Sequence, residues 1–247
     1  MATIMNPHAY LRQIYRGRLD SASLSLMAFY ARVYKLLKGG DYLEFGGGPT
    51  IYSIISAAAN VSRIHLTDYD RRSLHLTRSW VNGVPGAFDW SAYTRSALRA
   101  ETGIRSISGK LVEARHGLIR EKIKRISRCD AFAKDPLLQQ GWGKYDVIAT
   151  NFCLEGITAD AKEWRRLNNI LTGLLAPSGL FVTTAICNAR GWLIGRKRYP
   201  AVRITTADLI KVYHDLGIDV NDVAEVPLQN RPLYDGIGMI SGVKVIP

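Results

Sequence analysis

Three consecutive glycines constrain the fold of this chain more than any other feature. Residues 46–48 follow a strand-like segment, 41–45, and precede a segment, 51–59, with the composition of a helix. Because glycine has no Cβ, a ligand can approach the backbone of such a strand-to-helix turn closely. Glu44 adds a carboxylate near the end of the strand, where doubly wound sheets bind ligands. We therefore expect a ligand site at this turn.

The residues around the turn indicate which kind of ligand it takes. A carboxylate with a few backbone donors suits the ammonium and carboxylate groups of an amino acid. A pyrophosphate site of the P-loop type would need a lysine that the turn lacks. The dinucleotide pattern G-x-G-x-x-G is also absent, because Pro49, Thr50 and Ile51 follow Gly48.

Two acids at the ends of later segments extend the predicted site. Asp68 follows the glycines by roughly 20 residues, the spacing of one βαβ unit, and can accept hydrogen bonds from both hydroxyls of a ribose. An NAD-binding site would also have an acid at this position. Asp130 precedes Ala131 and Phe132, so its carboxylate can accept from an adenine amino group while apolar side chains cover the ring. Together these elements suit a ligand with an amino-acid end, a ribose and an adenine.

Apolar periodicity along the rest of the chain predicts alternating helices and strands. Helices are expected over residues 5–38, 51–59, 70–82, 159–175 and 206–216, with a helix-rich stretch over 90–127. Strands are expected over 41–45, 61–67, 146–150, 180–185, 220–226 and 238–245. This alternation predicts an α/β fold, a doubly wound and mostly parallel sheet with helices on both faces.

Composition excludes several classes of protein. Apolar residues make up 47% of the chain, too many for a disordered protein. No run of about 18 apolar residues occurs, and the N-terminus lacks the apolar segment of a signal peptide, so no membrane span is expected. The cysteines (Cys129, Cys153, Cys187) form no CxxC pair and the histidines are dispersed, which predicts no metal site and a cytoplasmic location.

The formal net charge of +12 is the one unusual feature of the composition. Much of the excess lies in residues 115–128. Along this segment and just before it, Leu111, Ile119, Ile123 and Ile126 are spaced as on an amphipathic helix. A solvated basic helix face is the favoured interpretation. A nucleic-acid groove is the alternative, but no known nucleic-acid-binding motif supports it, so no specific nucleic-acid partner is expected.

In their order along the chain, these features resemble the methyltransferase family that contains nicotinamide, phenylethanolamine and thioether or indolethylamine N-methyltransferases. The matching segments are Asn6-Pro7 with Tyr10-Leu11 and Tyr15, Gly46-Gly47-Gly48-Pro49-Thr50-Ile51-Tyr52, Thr67-Asp68-Tyr69, Ala87-Phe88-Asp89-Trp90-Ser91, Cys129-Asp130, Phe152-Cys153-Leu154-Glu155 and Ala176-Pro177-Ser178-Gly179. The resemblance implies a seven-stranded, Rossmann-like sheet and S-adenosylmethionine (SAM) as the cofactor. It also implies a single domain, with a helical lid over 1–38 and a catalytic core over 39–247.

The resemblance and the residue patterns together give a set of site residues. Those expected to contact the cofactor are Tyr10, Tyr15, Glu44, Gly46, Gly48, Thr50, Tyr52, Asp68, Tyr69, Ser73, Asp130, Ala131 and Asn151. Those expected to act on the reacting groups are Tyr10, Tyr15, Asn151 and Trp192. The three aromatic side chains of this second set can stabilise the sulfonium by cation–π contact. Asn151 can orient an amine by accepting a hydrogen bond from it.

The substrate side departs from the family pattern. Positions where the family holds amines with acids carry Ala185, Ala189 and Leu233, and only the neighbouring Asp235 offers a replacement. A buried cation without a carboxylate partner is costly. We therefore expect a neutral, aromatic or anionic small-molecule substrate that stacks on Trp192.

Two reactions remain open from the sequence, and both displace the sulfonium without a metal. In the favoured one, a substrate nitrogen takes the methyl group. In the other, SAM is its own substrate: its α-amine attacks its γ-carbon, which yields azetidine-2-carboxylate and 5′-methylthioadenosine. The resemblance implies a monomer in either case.

Overall fold

The structure is a computed structural model that describes residues 5–17, 19–229 and 232–245. Its α-helices are α1 (Pro7–Tyr10), α2 (Ser21–Tyr34), α3 (Arg71–Val81), α4 (Ser91–Thr102), α5 (Gly109–Lys122), α6 (Ala161–Gly173) and α7 (Thr206–Asp215). Its strands are β1 (Asp41–Phe45), β2 (Arg63–Asp68), β3 (Ile123–Arg128), β4 (Tyr145–Asn151), β5 (Leu175–Cys187), β6 (Trp192–Ile194), β7 (Lys197–Tyr199), β8 (Ile218–Pro227) and β9 (Gly236–Lys244).

Seven of these strands form one sheet in the order β3-β2-β1-β4-β5-β9-β8. The first five are mutually parallel, whereas β9 runs antiparallel to both of its neighbours. The predicted fold class, a doubly wound and mostly parallel seven-stranded sheet, is confirmed. Because the strand order reverses beside β1, the carboxyl ends of β1, β2 and β4 meet at the crevice where open α/β sheets bind ligands.

Apolar side chains cover both faces of the sheet. On one face α2 contributes Phe29, Tyr30 and Tyr34, each almost fully buried, to a layer that also contains Trp90. The opposite layer is built on β5 with α6 and α7, and includes Tyr213. The lid segment packs onto the first layer, so it is held by the same aromatic side chains that line the crevice.

The last part of the basic stretch differs from the prediction, because residues 123–128 form an edge strand and not a helix. Ile123 pairs with Ile64, and Ile126 pairs with Leu66 of β2. The three-residue spacing of Ile123 and Ile126 fits a helix, and the two side chains share one face of β3 only because the pairing with β2 shifts register between Ile64 and His65.

The arginines of the basic segment contact other parts of the same chain. Arg115 donates two hydrogen bonds to Glu101, at 2.8 and 2.6 Å, and one to the Ile55 carbonyl. The Arg120 guanidinium lies 4.6 Å from the centre of the Trp80 ring. The Arg128 guanidinium lies 5.1 Å from the centre of the Tyr69 ring. These contacts give the basic residues a structural role within the fold.

Two other helical predictions are only partly right. Residues 5–38 are not one helix: α1 runs into a π-helical turn, Leu11–Tyr15, and α2 begins separately after an N-cap at Asp20. Residues 51–59 form two short 3₁₀ turns, Tyr52–Ile54 and Ala57–Ala59.

The region after β4 also holds features that the periodicity does not reveal. Residues 177–179 form an irregularity inside β5, where Ser178 adopts a φ of 58°. A two-stranded hairpin, β6–β7, follows β5 and carries Trp192. We call it the substrate hairpin.

Candidate active site

The glycine turn places backbone groups at the carboxyl end of β1. Gly46 and Gly48 both adopt positive φ angles, 72° and 61°. A Cβ on Gly46 would lie 2.1 Å from the Cys153 sulfur, so the position excludes every other residue type. The Gly47 N–H donates to the Thr67 carbonyl at 2.9 Å, and the Thr50 hydroxyl donates to the Gly47 carbonyl at 2.7 Å. The turn is therefore rigid before any ligand binds.

Asp68 lies one strand away and is tied to the same turn. Its carboxylate accepts hydrogen bonds from the backbone N–H groups of Gly48, at 2.9 Å, and Asp70, at 2.8 Å. Burial raises the pKa of Asp68 to about 6. No basic side chain pairs with it among the described residues, and its oxygens keep lone pairs for further donors. This geometry fits the two hydroxyls of a ribose.

The other residues predicted at the ribose and adenine lie along the same edge of the sheet. The Cys129 N–H donates to the Asp68 carbonyl at 3.0 Å, which brings Asp130 next to β2. The Asp130 carboxylate accepts from the Phe132 N–H at 3.0 Å, and Ala131 packs on the layer built on β5. Tyr69 stays 41% exposed, so its ring is available at the crevice edge.

Ser73 occupies a more enclosed position than the prediction implies. Its side chain is fully buried in α3, and its hydroxyl lies 3.5 Å from the Asp70 carboxylate. Asp70 also caps the helix by accepting from the Arg72 N–H at 3.1 Å. In this arrangement Ser73 supports the residues next to Asp68.

The lid brings a cluster of aromatic rings together above the turn. The hydroxyls of Tyr10 and Tyr15 lie 3.1 Å apart. The Tyr15 ring stacks on Tyr52 with centroids 5.3 Å apart and meets Trp90 edge-on at 5.4 Å. Burial raises the pKa of Tyr10 to about 12, so these phenols stay neutral. The ring faces can stabilise a cation next to the glycine turn.

An open cleft of about 220 Å³ lies beside the lid and borders this cluster at Trp90. It runs between Leu11 and Arg12 of the lid, Trp80 of α3, and Phe88. None of the predicted cofactor contacts lines it.

The structure gives Asn151 a role that differs from the predicted one. Its side-chain oxygen already accepts from the hydroxyls of Tyr30, at 2.9 Å, and Thr184, at 3.1 Å. Its amide nitrogen donates to Glu44 at 3.0 Å. The oxygen has two lone pairs and both are used, so it does not orient a substrate amine by accepting from it.

On the substrate side, Trp192 is held at the start of the substrate hairpin. Its indole N–H donates to the Gly156 carbonyl at 2.9 Å, and its ring stacks on Tyr199 with centroids 4.3 Å apart. One face of the indole is therefore covered, and the ring also packs against the buried cluster of Ile186, Ala189 and Ala201. Asp235 does not replace the missing acids, because its side chain is exposed and accepts from Asn188 at 3.1 Å.

Glu155, which the analysis of the sequence left without a role, supplies a buried acid on this side. It lies on a 3₁₀ turn directly after β4 and is 3% exposed. Its carboxylate accepts from the Ile186 N–H at 3.1 Å, and burial raises its pKa to about 7. It is close enough to Tyr10 for its charge to raise the pKa of that phenol. The motif Phe152-Cys153-Leu154-Glu155 was the one signal that pointed to it.

Gln13 connects the lid to the substrate hairpin. Its side chain donates to the Leu193 carbonyl at 3.1 Å and accepts from the Gly195 N–H at 2.8 Å. We expect Gln13→Ala to speed the dissociation of S-adenosylhomocysteine (SAH) about fivefold, since two exposed hydrogen bonds that hold the lid are lost. Stopped-flow fluorescence would measure this rate. Arg12→Ala, a neighbouring exposed substitution, should leave it unchanged, and equal rates for all three proteins would contradict the prediction.

Comparison with known proteins places these features in a family. The family model described as NNMT/PNMT/TEMT matches residues 2–243. Rat phenylethanolamine N-methyltransferase is 28% identical over 250 residues, covering 96% of this chain and 85% of that protein. Mouse indolethylamine N-methyltransferase is 31% identical over 183 residues, covering 74% of this chain and 67% of that protein.

A solved structure shows the same fold at low sequence identity. A SAM-dependent methyltransferase from Methanosarcina mazei superposes with a TM-score of 0.59 at 13% identity, covering 94% of this chain and all of that one. Within the described residues, no helix combines the length and apolarity that crossing a bilayer requires. The names of the relatives support methyl transfer and give no support to cyclisation of the cofactor. This chain belongs to the NNMT/PNMT/TEMT family, and it is an enzyme of the SAM-dependent methyltransferase class.

Proposed function

We propose that the enzyme transfers a methyl group from SAM to the nitrogen of a small amine, with Glu155 as the acid that binds the amine. The observation that supports an amine is the Glu155 carboxylate, which is buried beside the substrate hairpin and has no basic partner among the described residues. A buried acid of this kind favours a cationic ligand. This proposal replaces the expectation of a substrate without positive charge.

The cofactor contacts form part of the same proposal. Asp68 binds the ribose, the residues after β3 bind the adenine, and the glycine turn with Asn151 binds the amino-acid end. When bound, SAM supplies a methyl group activated by its positively charged sulfur. Tyr10, Tyr15 and Trp192 would present aromatic rings to that charge and help to exclude water from it.

Glu155 has a chemical role besides binding. Because its pKa is raised to about 7, its carboxylate is largely ionised at slightly alkaline pH and attracts an ammonium group. It can then accept the proton, which frees the nitrogen lone pair for attack. Alignment of that nitrogen under the closed lid supplies the rest of catalysis.

An experiment with purified protein tests the proposed reaction. The protein is incubated with SAM alone and with SAM plus phenylethanolamine, indolethylamine or nicotinamide, and the thioether products are measured by mass spectrometry. We expect SAH to form with phenylethanolamine or indolethylamine, which carry ammonium groups, and not with SAM alone or with nicotinamide, whose ring nitrogen is uncharged near pH 7. Formation of 5′-methylthioadenosine from SAM alone, without SAH, would overturn the proposal in favour of cyclisation.

A substitution tests the role of Glu155. We expect Glu155→Gln to raise the KM for an accepted amine about tenfold at pH 8, because a charged hydrogen bond is lost. In the wild type the KM should fall as the pH rises through about 7, since the acid ionises there. In the variant this dependence should vanish. Glu163→Gln, at a half-buried acid of α6 that pairs with Arg166, is the control, and a KM equally insensitive to both substitutions would contradict the assignment.

The same proposal covers the organisation of the protein. We infer one domain over residues 1–247, with the lid over 1–38 and the catalytic core over 39–247, acting as a monomer in the cytoplasm. The packing of the lid on the aromatic layer of the core supports one domain. The separated, reduced cysteines support a reducing compartment.

A further inference from the structure

Basic side chains flank the seam where the lid meets the substrate hairpin. Residues 5–17 of the lid and residues 189–204 around the hairpin contain no aspartate or glutamate. The exposed cations beside the seam are Arg12, Arg16, Arg190, Arg196, Lys197 and Arg198. None of the six forms an ion pair with another described residue. We call these six residues the basic rim.

A bridge by Gln13 joins the two halves of the basic rim. The Gln13 side chain donates to the Leu193 carbonyl at 3.1 Å and accepts from the Gly195 N–H at 2.8 Å. Arg12 precedes Gln13 in the chain and Arg196 follows Gly195, so each lies one residue from an end of the bridge. Cations of both segments are thus held at one seam without an acidic partner among the described residues. An anionic partner would relieve their mutual repulsion.

The hairpin turns part of the basic rim toward solvent. Tyr199 pairs with Trp192, and the two rings stack on one face of the hairpin. Arg198 precedes Tyr199, so the alternation of side chains along a strand places it on the opposite, outer face. Its guanidinium donates to the Arg190 carbonyl and passes close to Gly191, where a Cβ would lie 2.9 Å from the Arg198 Nε. Arg198 is therefore held in place while most of its N–H groups stay free for a partner.

The composition and width of the basic rim favour a surface of carboxylates as its partner. Five of the six cations are arginines, and a planar guanidinium binds a carboxylate through two parallel hydrogen bonds. Arg190 and Arg196 stand on either side of β6, roughly 15 Å apart at a strand rise of about 3.3 Å per residue. One small anion does not span that distance, whereas the surface of an acidic protein does.

Two other kinds of polyanion fit the basic rim less well. A bilayer surface needs apolar anchors, and Ile14, at 39% exposure, is the one large apolar side chain that is exposed among the described residues of the two segments. A single strand of nucleic acid needs aromatic rings on which its bases stack. Trp192 and Tyr199 lie on the inner face of the hairpin and offer none to the outer surface.

We propose that the basic rim is the docking surface for an acidic protein, whose clustered aspartate and glutamate side chains bind across the seam between the lid and the substrate hairpin. Such a partner forms ion pairs with both segments at once, so it adds to the bridge that Gln13 makes between them. Docking therefore also holds the lid against the hairpin. The inference goes beyond the proposed methyl transfer and does not depend on the identity of the acceptor.

Fluorescein-labelled poly-L-glutamate is the probe, because it presents closely spaced carboxylates on a polypeptide. Its binding is measured by fluorescence anisotropy at about 0.1 M salt, where charges within about 10 Å still interact. We expect Arg196→Glu with Lys197→Glu, on the hairpin, to weaken binding about tenfold, because attraction at two positions becomes repulsion. Arg12→Glu with Arg16→Glu, on the lid, should weaken it by a similar factor.

A matched pair of substitutions controls for net charge. Lys35 and Lys38 are exposed and follow α2, just before β1 begins at Asp41. They lie at the amino edge of the sheet, opposite the crevice. Lys35→Glu with Lys38→Glu changes the net charge as much as either rim pair does, and should weaken the binding of poly-L-glutamate less than about twofold.

The rate at which SAH dissociates tests the bridging of the seam. Saturating poly-L-glutamate should slow this dissociation about threefold in the wild type, because a ligand that binds the closed lid better shifts the population toward it. Stopped-flow fluorescence would measure the rate. The slowing should disappear in the lid pair and in the hairpin pair, and it should persist in the Lys35 and Lys38 pair.

Several results would overturn the inference. Equal weakening by all three pairs would show attraction to net charge alone, and an unchanged rate of SAH dissociation would show that the polyanion does not bridge the seam. Failure of the wild type to bind poly-L-glutamate would remove the docking surface. Tighter binding to phosphatidylserine vesicles or to oligothymidylate, lost in both rim pairs, would assign the basic rim to a membrane or to nucleic acid instead.

Discussion

Gly46→Ala should abolish SAH binding and lower the free energy of unfolding by about 3 kcal/mol or more. The new Cβ would meet the Cys153 sulfur at 2.1 Å and the Cys153 Cβ at 3.0 Å, in a turn that its own hydrogen bonds hold rigid. The φ of 72° adds strain for any L residue with a side chain. Urea unfolding and calorimetry would measure the two effects.

Gly103 offers a matched control for this substitution. Its φ of 73° is nearly the same, but a Cβ there would meet no atom within 4 Å. Gly103→Ala should therefore lower the free energy of unfolding by only about 1 kcal/mol, which reflects backbone strain alone. It should leave SAH binding intact. Adding Cys153→Ala to Gly46→Ala should restore part of the stability. If Gly46→Ala behaves like Gly103→Ala, the turn does not have the close packing described above.

Asp68→Ala should weaken the binding of SAH about a hundredfold. It removes hydrogen bonds from a carboxylate to the ribose, each worth roughly 1.5–3 kcal/mol, and releases the backbone N–H groups of Gly48 and Asp70. Calorimetry at pH 7.5 would measure the loss. Asp160→Ala is the control, because that carboxylate also holds two backbone N–H groups but lies at the start of α6.

The raised pKa of Asp68 allows a second test of its role, the pH dependence of SAH binding. Its pKa is raised from 3.8 to about 6 by burial, so its ionised form is disfavoured without ligand. The stability that the neutral acid contributes is complete below pH 3.8 and is lost as the pH rises through about 6. Ribose hydroxyls favour the ionised acid, so SAH should bind more tightly as the pH rises from 5 to 7. An identical pH dependence in Asp68→Asn would contradict the assignment.

The features that the sequence predicted correctly are local along the chain. The strand, glycine turn and Asp68 lie within about 30 residues, and βαβ geometry alone brings their ends together. A threonine before an apolar run likewise predicts an N-cap for α7 at Thr205 or Thr206, and the structure has the cap at Thr205, in a capping box with Asp208. Such features can be predicted without information on contacts between distant segments.

The features that were missed depend on contacts between distant segments. Residues 123–128 have a spacing compatible with a helix, and only pairing with β2 selects a strand. Tyr30 has the spacing of a core residue, and its hydroxyl gains a role from Asn151, 121 residues later. Glu155 is one acid among the 21 Asp and Glu residues of the chain, and its burial follows from packing against Ile186. Periodicity carries no information on such pairs.

The bridge that Gln13 makes between the lid and the substrate hairpin has a kinetic consequence. Under the proposed function the hairpin contributes Trp192 to the acceptor site, so that site is complete only while Gln13 holds the lid against the hairpin. We propose that the lid in this position also closes the route by which SAM and SAH enter and leave. Steady-state turnover should therefore follow a compulsory sequence in which SAM enters first and SAH departs last, and SAH should inhibit competitively against SAM alone.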